Sequence, residues 1–479
     1  MAARNVTKTP PRRGRRSEQE RSVPPGAGDE QDARYRPLPT GSHGLDPELV
    51  KRDQRERLEN AMIELIAQKG YPAVRIVDLA KLAHVSQPTF YRLYADKEAL
   101  FLSAYDEAAA RCARMVVSEY HVGPRDDRLA VAMRAWAALA AAEPEATSLL
   151  VLGAFGAGPK ALERRRQTLE KLERSIQAGR DGEAPSTGPT DLTVKAILGG
   201  IREVTSTRLR ETRARELPLL ADELAAWAGS YPRRLPAGLD VPLAKRRCSA
   251  GATKTPSSER ARRAEGRLPS GRSDLPRRFI VKSQRERIVD ATAAIVAEKG
   301  LAALTIPEIA RRANVSLQTF YDIYSSKHDA FLGAQKVGMH QALGIAVAAY
   351  EAEQPDWPRA LRAGLRALIE YLASEPAHAH LSLVDTFAAC PEALEIRHSM
   401  MQAFATYVTP GYELAQGKAE VPAIAAEAVV GGVWQVFHHY VDNDRIAELP
   451  GATSQLTYFA LAPFLGPDQA ARYALPDSA

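Results

Sequence analysis

Two short segments of the chain place polar side chains where they could contact the bases of DNA. Residues 86–94 read SQPTFYRLY, and residues 316–324 read SLQTFYDIY. In the first segment Phe90 and Leu93 lie three positions apart, which puts both on the inward face of a helix. The polar residues between them then face outward, as the reading of base edges in the major groove requires. We therefore predict a recognition helix in each segment.

Two further helices are predicted to position each recognition helix. Before the first segment, Leu58 and Met62 belong to an apolar stripe with helical spacing, and the Lys-Gly pair at 69–70 is typical of a helix end. A short helix and a turn follow, and the turn ends on a serine that should cap the recognition helix. Before the second segment the same order recurs, with capping-box spacing between Thr305 and Glu308.

The chain contains an internal repeat. Residues 54–101 align without a gap with residues 284–331, and 20 of these 48 positions are identical. At an offset of 232 residues the similarity continues, because Gly199-Gly200 matches Gly431-Gly432. Repeats of this length indicate that a whole domain of about 190 residues has been duplicated.

Two segments rich in Pro, Gly and Arg separate the repeated parts and carry the excess positive charge. Residues 1–52 hold eleven Lys or Arg against seven Asp or Glu, and residues 233–282 hold fourteen against four, although the whole chain has a net charge of +6. Such composition is typical of disorder. The predicted units are a disordered basic tail at 1–48, a first helix-turn-helix domain at 49–105, a first helical body at 106–231, a flexible basic linker at 232–281, a second helix-turn-helix domain at 282–331 and a second helical body at 332–479.

Composition excludes several classes of protein. No apolar run is long enough to span a membrane, and the Arg-rich start is unlike a secretory signal, so we expect a cytoplasmic protein that does not contact a membrane. The three cysteines lie far apart and predict neither disulfides nor zinc. Glycine-rich phosphate loops, HExxH and GxSxG are absent from the sequence, so we expect neither an enzyme nor a cofactor.

The two repeated segments resemble the helix-turn-helix of the TetR family of bacterial regulators. The resemblance covers residues 54–101 and 284–331 and includes the pattern of an aromatic residue, Tyr, two residues, Tyr and then Lys. It implies an all-α fold in which three N-terminal helices bind DNA and the remaining helices form a ligand-binding and dimerising body. It also implies a transcriptional regulator, with repression as the default.

The resemblance assigns roles to individual side chains. Gln87, Thr89 and Arg92 are expected to contact bases in the first copy, as are Gln318 and Thr319 in the second, with Ser86 and Ser316 capping these helices inside the interface. The side chains expected to hold phosphates are Tyr91, Tyr94, Lys97, Tyr321, Tyr324 and Lys327. For Tyr94 and Tyr324 a place in the core is the alternative, and for the two lysines the alternative is a solvated helix start.

At one position of the predicted recognition helices the two copies carry side chains of opposite charge. Arg92 of the first copy corresponds to Asp322 of the second, and an acidic group facing phosphates is unfavourable unless it accepts a hydrogen bond from cytosine. We therefore expect an asymmetric operator read by two different helices. The alternative is a regulator in which only the first copy binds DNA and the second serves as a dimerisation or ligand-sensing partner.

The linker permits the two copies to pair with each other. About 50 flexible residues reach about 35 to 42 Å, and half-sites one turn apart are separated by about 34 to 36 Å. A dimer of tandem chains with four recognition helices is the alternative. We also expect a small-molecule effector of unknown identity in the bodies, where Trp434, Phe437 and Tyr440 line either a cavity or a core. The histidines, His438 among them, show no metal-ligand spacing with carboxylates or cysteines.

Overall fold

The computed structural model describes residues 34–36, 46–122, 128–181, 191–232, 235–236, 238–239, 277–415 and 420–475. Helices account for 85% of these residues, and none of them lies in a β-strand, so the predicted all-α fold is confirmed. Within the same ranges, no helix has both the length and the apolar character needed to cross a membrane.

The described residues of the first copy form nine α-helices and several short 3₁₀ turns. Its helices are α1 (Pro47–Lys69), α2 (Ile76–Leu82), α3 (Gln87–Leu93), α4 (Lys97–Val122), α5 (Arg128–Ala142), α6 (Pro144–Val151), α7 (Pro159–Asp181), α8 (Leu192–Arg210) and α9 (Leu217–Gly229). The predicted helix end at Lys69 is confirmed, and Gly70 follows it with a φ of 73° that a side chain would disfavour.

The second copy repeats this order with additional short helices. Within the described residues its helices are α10 (Arg277–Lys299), α11 (Ile306–Ala313), α12 (Leu317–Ile323), α13 (Lys327–Ala352), α14 (Trp357–Ser374), α15 (Pro376–His380), α16 (Thr386–Ala389), α17 (Pro391–Val408), α18 (Gly411–Ala415), α19 (Ala425–Asp442), α20 (Thr453–Leu465) and α21 (Pro467–Ala474). At the start of α11, Thr305 accepts from the backbone N–H of Glu308 as a capping box predicts. The Glu308 carboxylate, however, binds Lys299 and Arg311.

Buried apolar residues form separate cores in the two helix-turn-helix domains and a shared core in the bodies. The first helix-turn-helix core contains Leu58 and Phe90, and the second contains Ile288 and Phe320, all four fully buried. The shared core contains residues of both copies, such as Trp227 of α9. The two bodies of one chain are therefore held together by a continuous apolar interior.

Helices α8 and α19 form the centre of the seam between the two bodies. A Cβ on Gly199 of α8 would overlap the side chain of Gln435, and a Cβ on Gly431 of α19 would overlap that of Glu203. Positions 199 and 431 are equivalent in the repeat, as are 203 and 435. The seam thus has the reciprocal pairing of a twofold dimer interface, and glycine allows the two backbones to approach closely.

Charged side chains also cross the seam. Arg397 of α17 donates to both carboxylate oxygens of Glu203, at 2.6 and 3.2 Å, and both side chains are buried. Arg208 donates to Glu427 at 3.0 Å. Removing one partner of a buried pair leaves an uncompensated charge, so these contacts favour one arrangement of the two bodies.

The predicted unit boundaries stay predictions, and the described helices can be set beside them. The boundaries at 105/106 and 331/332 fall inside the continuous helices α4 and α13, which join each helix-turn-helix domain to its body. The predicted disordered tail, 1–48, and the predicted linker, 232–281, lie mostly outside the described residues. Within the tail, however, Tyr35 is buried against the first helix-turn-helix domain, and α10 begins inside the predicted linker.

Candidate nucleic-acid interface

Local contacts fix the turn between the second and third helices of each copy. Arg57 of α1 donates to the backbone carbonyls of Ala83 and His84 in the turn. In the second copy Arg287 donates to the carbonyl of Asn314 at 3.1 Å. His84 and Asn314 have φ values of 50° and 51°, in the left-handed region. The arginines satisfy carbonyls that the sharp turn leaves unpaired, and this role was not evident from the helical spacing alone.

The third helix of the first copy presents the predicted reading side chains to solvent. Ser86 accepts from the backbone N–H of Thr89 at 3.2 Å, which confirms the predicted cap. Gln87, Tyr91 and Arg92 are exposed, whereas Thr89 is half-buried and accepts from Arg92 at 2.9 Å. A planar guanidinium held in this way can still offer its other donors to a guanine edge or a phosphate.

The third helix of the second copy is capped in the same way but exposes different side chains. Ser316 accepts from the backbone N–H of Thr319 at 3.0 Å, and Thr319 is half-buried. Gln318, Tyr321 and Asp322 are exposed, and Gln318 donates to the Asp322 carboxylate at 2.9 Å. The acidic group therefore engages the glutamine amide that was predicted to contact a base.

Tyr94 and Tyr324 lie in the core, which is the alternative place that the sequence left open for them. Tyr94 is 8% exposed, and its hydroxyl donates to Glu59 at 2.8 Å; burial is the main cause that raises its pKa. Tyr324 is 7% exposed and packs against Phe320. The phosphate role expected for these two tyrosines stays a prediction, and the burial of both rings favours the alternative place in the core.

Lys97 and Lys327 are tied to the protein backbone. Lys97 Nζ donates at 3.0 Å to the carbonyls of Tyr71 and Val74 and lies 4.1 Å from the centre of the Tyr71 ring. Lys327 Nζ donates to the carbonyl of Leu304 at 3.1 Å. Burial lowers the pKa of Lys97. These lysines hold the loop before α2 or α11 in place, and the phosphate contact expected of their side chains stays a prediction.

Comparison with known families matches the two segments that contain the helix-turn-helix of each copy. Residues 60–104 and 288–333 both match the family of bacterial regulatory proteins described as the tetR family. The chain is a tandem TetR-family regulator. It contains the DNA-binding domain of TetR transcription regulators twice. A search of curated proteins finds no match.

Three solved structures have a limited similarity to this TetR-family chain. The transcriptional regulator FadR of Bacillus subtilis, in complex with stearoyl-CoA, is 18% identical over 36% of this chain and 96% of its own, with a TM-score of 0.32. FadR of Bacillus halodurans is 18% identical over 36% and 94%, with a TM-score of 0.33. A TetR-family regulator of Marinobacter aquaeolei VT8 is 21% identical over 41% and 94%, with a TM-score of 0.30. The family assignment is based on the two matched segments and not on these structures.

The second body contains an apolar cavity with about 1030 Å³ of empty space, open solvent at its mouth included. Leu368 of α14, Phe404 of α17, and Trp434 and Phe437 of α19 contribute to its wall. Tyr440, which was predicted with Trp434 and Phe437, lies in the core at 2% exposure. Of the three aromatic residues, two thus line a cavity and one belongs to the core.

The equivalent positions of the first body carry larger or more polar residues. Trp136 stands where the second copy has Leu368, and its indole N–H donates to Thr205 at 3.1 Å. Thr205 itself is the counterpart of Phe437, and Arg202 is the counterpart of Trp434. The two bodies thus differ in the residues from which a ligand cavity would be built. No group of three or more His, Cys, Asp or Glu within the described ranges could hold a metal ion.

Proposed function

We propose that this chain is a sequence-specific regulator of transcription that reads an asymmetric operator with two non-identical recognition helices. The main support is that the third helices of the two copies have the same cap and the same buried phenylalanine but differ in their exposed side chains. Arg92 and Asp322 occupy the same exposed position, and a guanidinium and a carboxylate select different base edges. Gln87 of the first copy corresponds to Leu317 of the second in the repeat, and this adds a further difference in hydrogen bonding.

Intramolecular pairing of the two copies is the arrangement that we propose for operator binding. Its support is the reciprocal seam, in which Gly199 meets Gln435 and Gly431 meets Glu203. A twofold pairing of this kind presents two reading helices to adjacent half-sites of a duplex. A role at DNA also agrees with the cytoplasmic location that the sequence predicts, and we propose no catalytic role.

Selection of binding sites from random duplex DNA tests this proposal with the full chain. We expect a site whose two halves differ in sequence. Converting the second reading face to the first, with Leu317→Gln, Gln318→Pro and Asp322→Arg, should make the selected site palindromic. A perfect palindrome selected by the unaltered chain would contradict the asymmetric reading.

The second body is the proposed place for a small-molecule effector of apolar character. The support is the cavity of about 1030 Å³, whose wall includes Leu368 and Trp434. Ligand pockets are usually lined by apolar and aromatic side chains with a few polar groups, and here His378 and Ser382 supply such groups. We expect Leu368→Trp, which copies the first body, to abolish the fluorescence increase of the uncharged dye Nile red. Trp136→Leu in the first body is the matched variant that should leave the signal in place.

A second candidate function has one specific observation in its favour. Asp322 already accepts from Gln318, so the second recognition helix offers DNA a carboxylate and an engaged amide. In this alternative only the first copy binds DNA, and the second serves as pairing or ligand-sensing partner. Comparing Arg92→Ala with Tyr321→Ala in operator affinity separates the two candidates. If both copies bind, each change should cost about 1 to 3 kcal/mol, and an unchanged affinity for Tyr321→Ala would favour the alternative.

A further inference from the structure

A second cleft lies at the seam itself and is lined by residues from both copies. It has about 400 Å³ of empty space, open solvent at its mouth included, and it shares Trp434 with the apolar cavity. Three arginines contribute to its wall, Arg165 and Arg202 from the first body and Arg397 from the second, together with the carboxylate of Glu203. The charged groups named here sum to two excess positive charges.

The two arginines related by the repeat have different surroundings. Arg397 and Arg165 occupy equivalent positions, 232 residues apart, in α17 and α7. Arg397 donates to both oxygens of Glu203. Arg165 is 5% exposed, and its Nε has no hydrogen-bond partner among the described residues; its guanidinium lies 4.2 Å from the centre of the Phe155 ring.

One substitution between the copies explains why Arg165 lacks a carboxylate. The counterpart of Glu203 is Gln435, so the position that would face Arg165 across the pseudo-twofold axis carries a neutral amide. Its oxygen accepts from Arg202 at 2.8 Å. Two further carboxylates, those of Asp442 and Glu173, act on Arg165 through space, and Glu173 is bound by Lys195 at 2.7 Å. Neither Arg165 nor Arg202 forms an ion pair within the part of the chain that the structure describes.

Buried cations without a compensating charge destabilise the folded state, and native proteins pair them or neutralise them. A buried donor without a partner likewise indicates an absent ion or water. We propose that the seam cleft binds a small oxyanion, the phosphate or carboxylate group of a diffusible compound, which replaces the carboxylate missing at Gln435. Because Arg165 and Arg202 belong to the first body and Gln435 to the second, the anion stabilises the pairing of the two copies.

Thermal unfolding of the full chain tests the site without any DNA. Inorganic phosphate and sodium acetate are titrated separately against sodium chloride at equal pH and ionic strength. We expect a saturable rise of about 2 °C or more in Tm with at least one of the two anions, because a ligand that binds only the folded state stabilises it by mass action. The anion that gives the rise identifies the oxyanion class.

Two substitutions should remove the rise in Tm with added anion, one by adding a negative charge at the cleft and the other by removing a positive one. Gln435→Glu supplies the missing carboxylate within the chain, so its Tm in chloride should rise and added phosphate or acetate should have no further effect. Arg165→Met removes the cation, so the response should vanish while the Tm in chloride is unchanged or higher. Arg359→Met, at an exposed arginine of α14, is the matched control and should keep the full response.

Two results would overturn the inference. One is a wild-type Tm that follows ionic strength alone in all three salts. The other is a Gln435→Glu or Arg165→Met variant that folds and keeps the wild-type response. Since the assay does not read DNA binding, failure of the operator proposal would leave its outcome unaffected.

Discussion

The two reading heads, defined as α1–α3 and α10–α12, share their frame and differ in the surface that they present. In both, a serine caps the third helix and a fully buried phenylalanine anchors it. In the first head Arg92 donates to Thr89 on its own helix, whereas in the second head Asp322 accepts from Gln318. The two copies therefore share the packing that orients the helix and differ at the exposed positions proposed to read DNA, so orientation and surface chemistry are separable in this fold.

The largest expected effect tests whether the buried phenylalanine contributes equally to the stability of each head. Phe90→Ala and Phe320→Ala each remove a fully buried ring, so each should cost about 3 to 5 kcal/mol in the free energy of unfolding. Calorimetric unfolding of the two variants measures this cost. A loss in only one variant would break the equivalence of the two heads.

A charge exchange sharpens the difference between the reading surfaces. Asp322→Arg frees Gln318 and replaces a negative charge by a positive one, so affinity for duplex DNA should improve by about 1 to 3 kcal/mol. The slope of log K against log salt should become steeper by about 0.9 for each phosphate gained. Arg92→Asp is the reciprocal variant and should weaken binding. Fluorescence anisotropy at several salt concentrations measures both, and an unaltered affinity for Asp322→Arg would place the second head away from DNA.

The two lysines that open α4 and α13 offer a finer comparison. Lys97→Met removes a donor from the carbonyls of two residues, Tyr71 and Val74, whereas Lys327→Met removes one from the carbonyl of Leu304. We expect a loss of about 1 to 3 kcal/mol in stability for the first variant and a smaller loss for the second. Denaturant unfolding gives the values. If stability were unchanged and only the salt dependence of DNA binding fell, the lysines would be phosphate ligands after all.

The bodies also differ in a titratable group, whose effect per pH unit is the smallest of those compared. His439 of α19 corresponds to Thr207 in the first body; burial, with Lys195 and Arg445 nearby, lowers its pKa to about 3. Since the folded-state pKa lies below the unfolded value of about 6.5, the stability it contributes is present above that pH and is lost as pH falls towards 3.

Comparison of His439→Gln with the wild type isolates this histidine. Between pH 6 and pH 4 the wild type should lose up to about 1.4 kcal/mol per pH unit more than the variant. His340→Gln, at an exposed histidine of α13, is the control. Parallel pH profiles for the wild type and His439→Gln would contradict the linkage.

The helices and the turn of each helix-turn-helix could be predicted from the sequence, because apolar spacing, capping serines and Lys-Gly helix ends depend on residues that are close together in the chain. The placement of Tyr94 and Lys97 was not predictable, since both sides of their contacts had to be known. Lys97 contacts carbonyls more than twenty residues earlier in the chain. The repeat offset gave equivalent positions such as 203 and 435, but only the folded seam places Glu203 against Arg397.

The seam between α8 and α19 also bears on how the regulator responds to its own abundance. A regulator assembled from two separate chains loses its paired form on dilution, so the occupancy of its operator depends on the square of the monomer concentration. Here the two halves are covalently joined, and the tether maintains a high local concentration of each near the other. Operator occupancy is therefore expected to rise with the first power of the number of chains, which would keep regulation graded even at a few copies per cell.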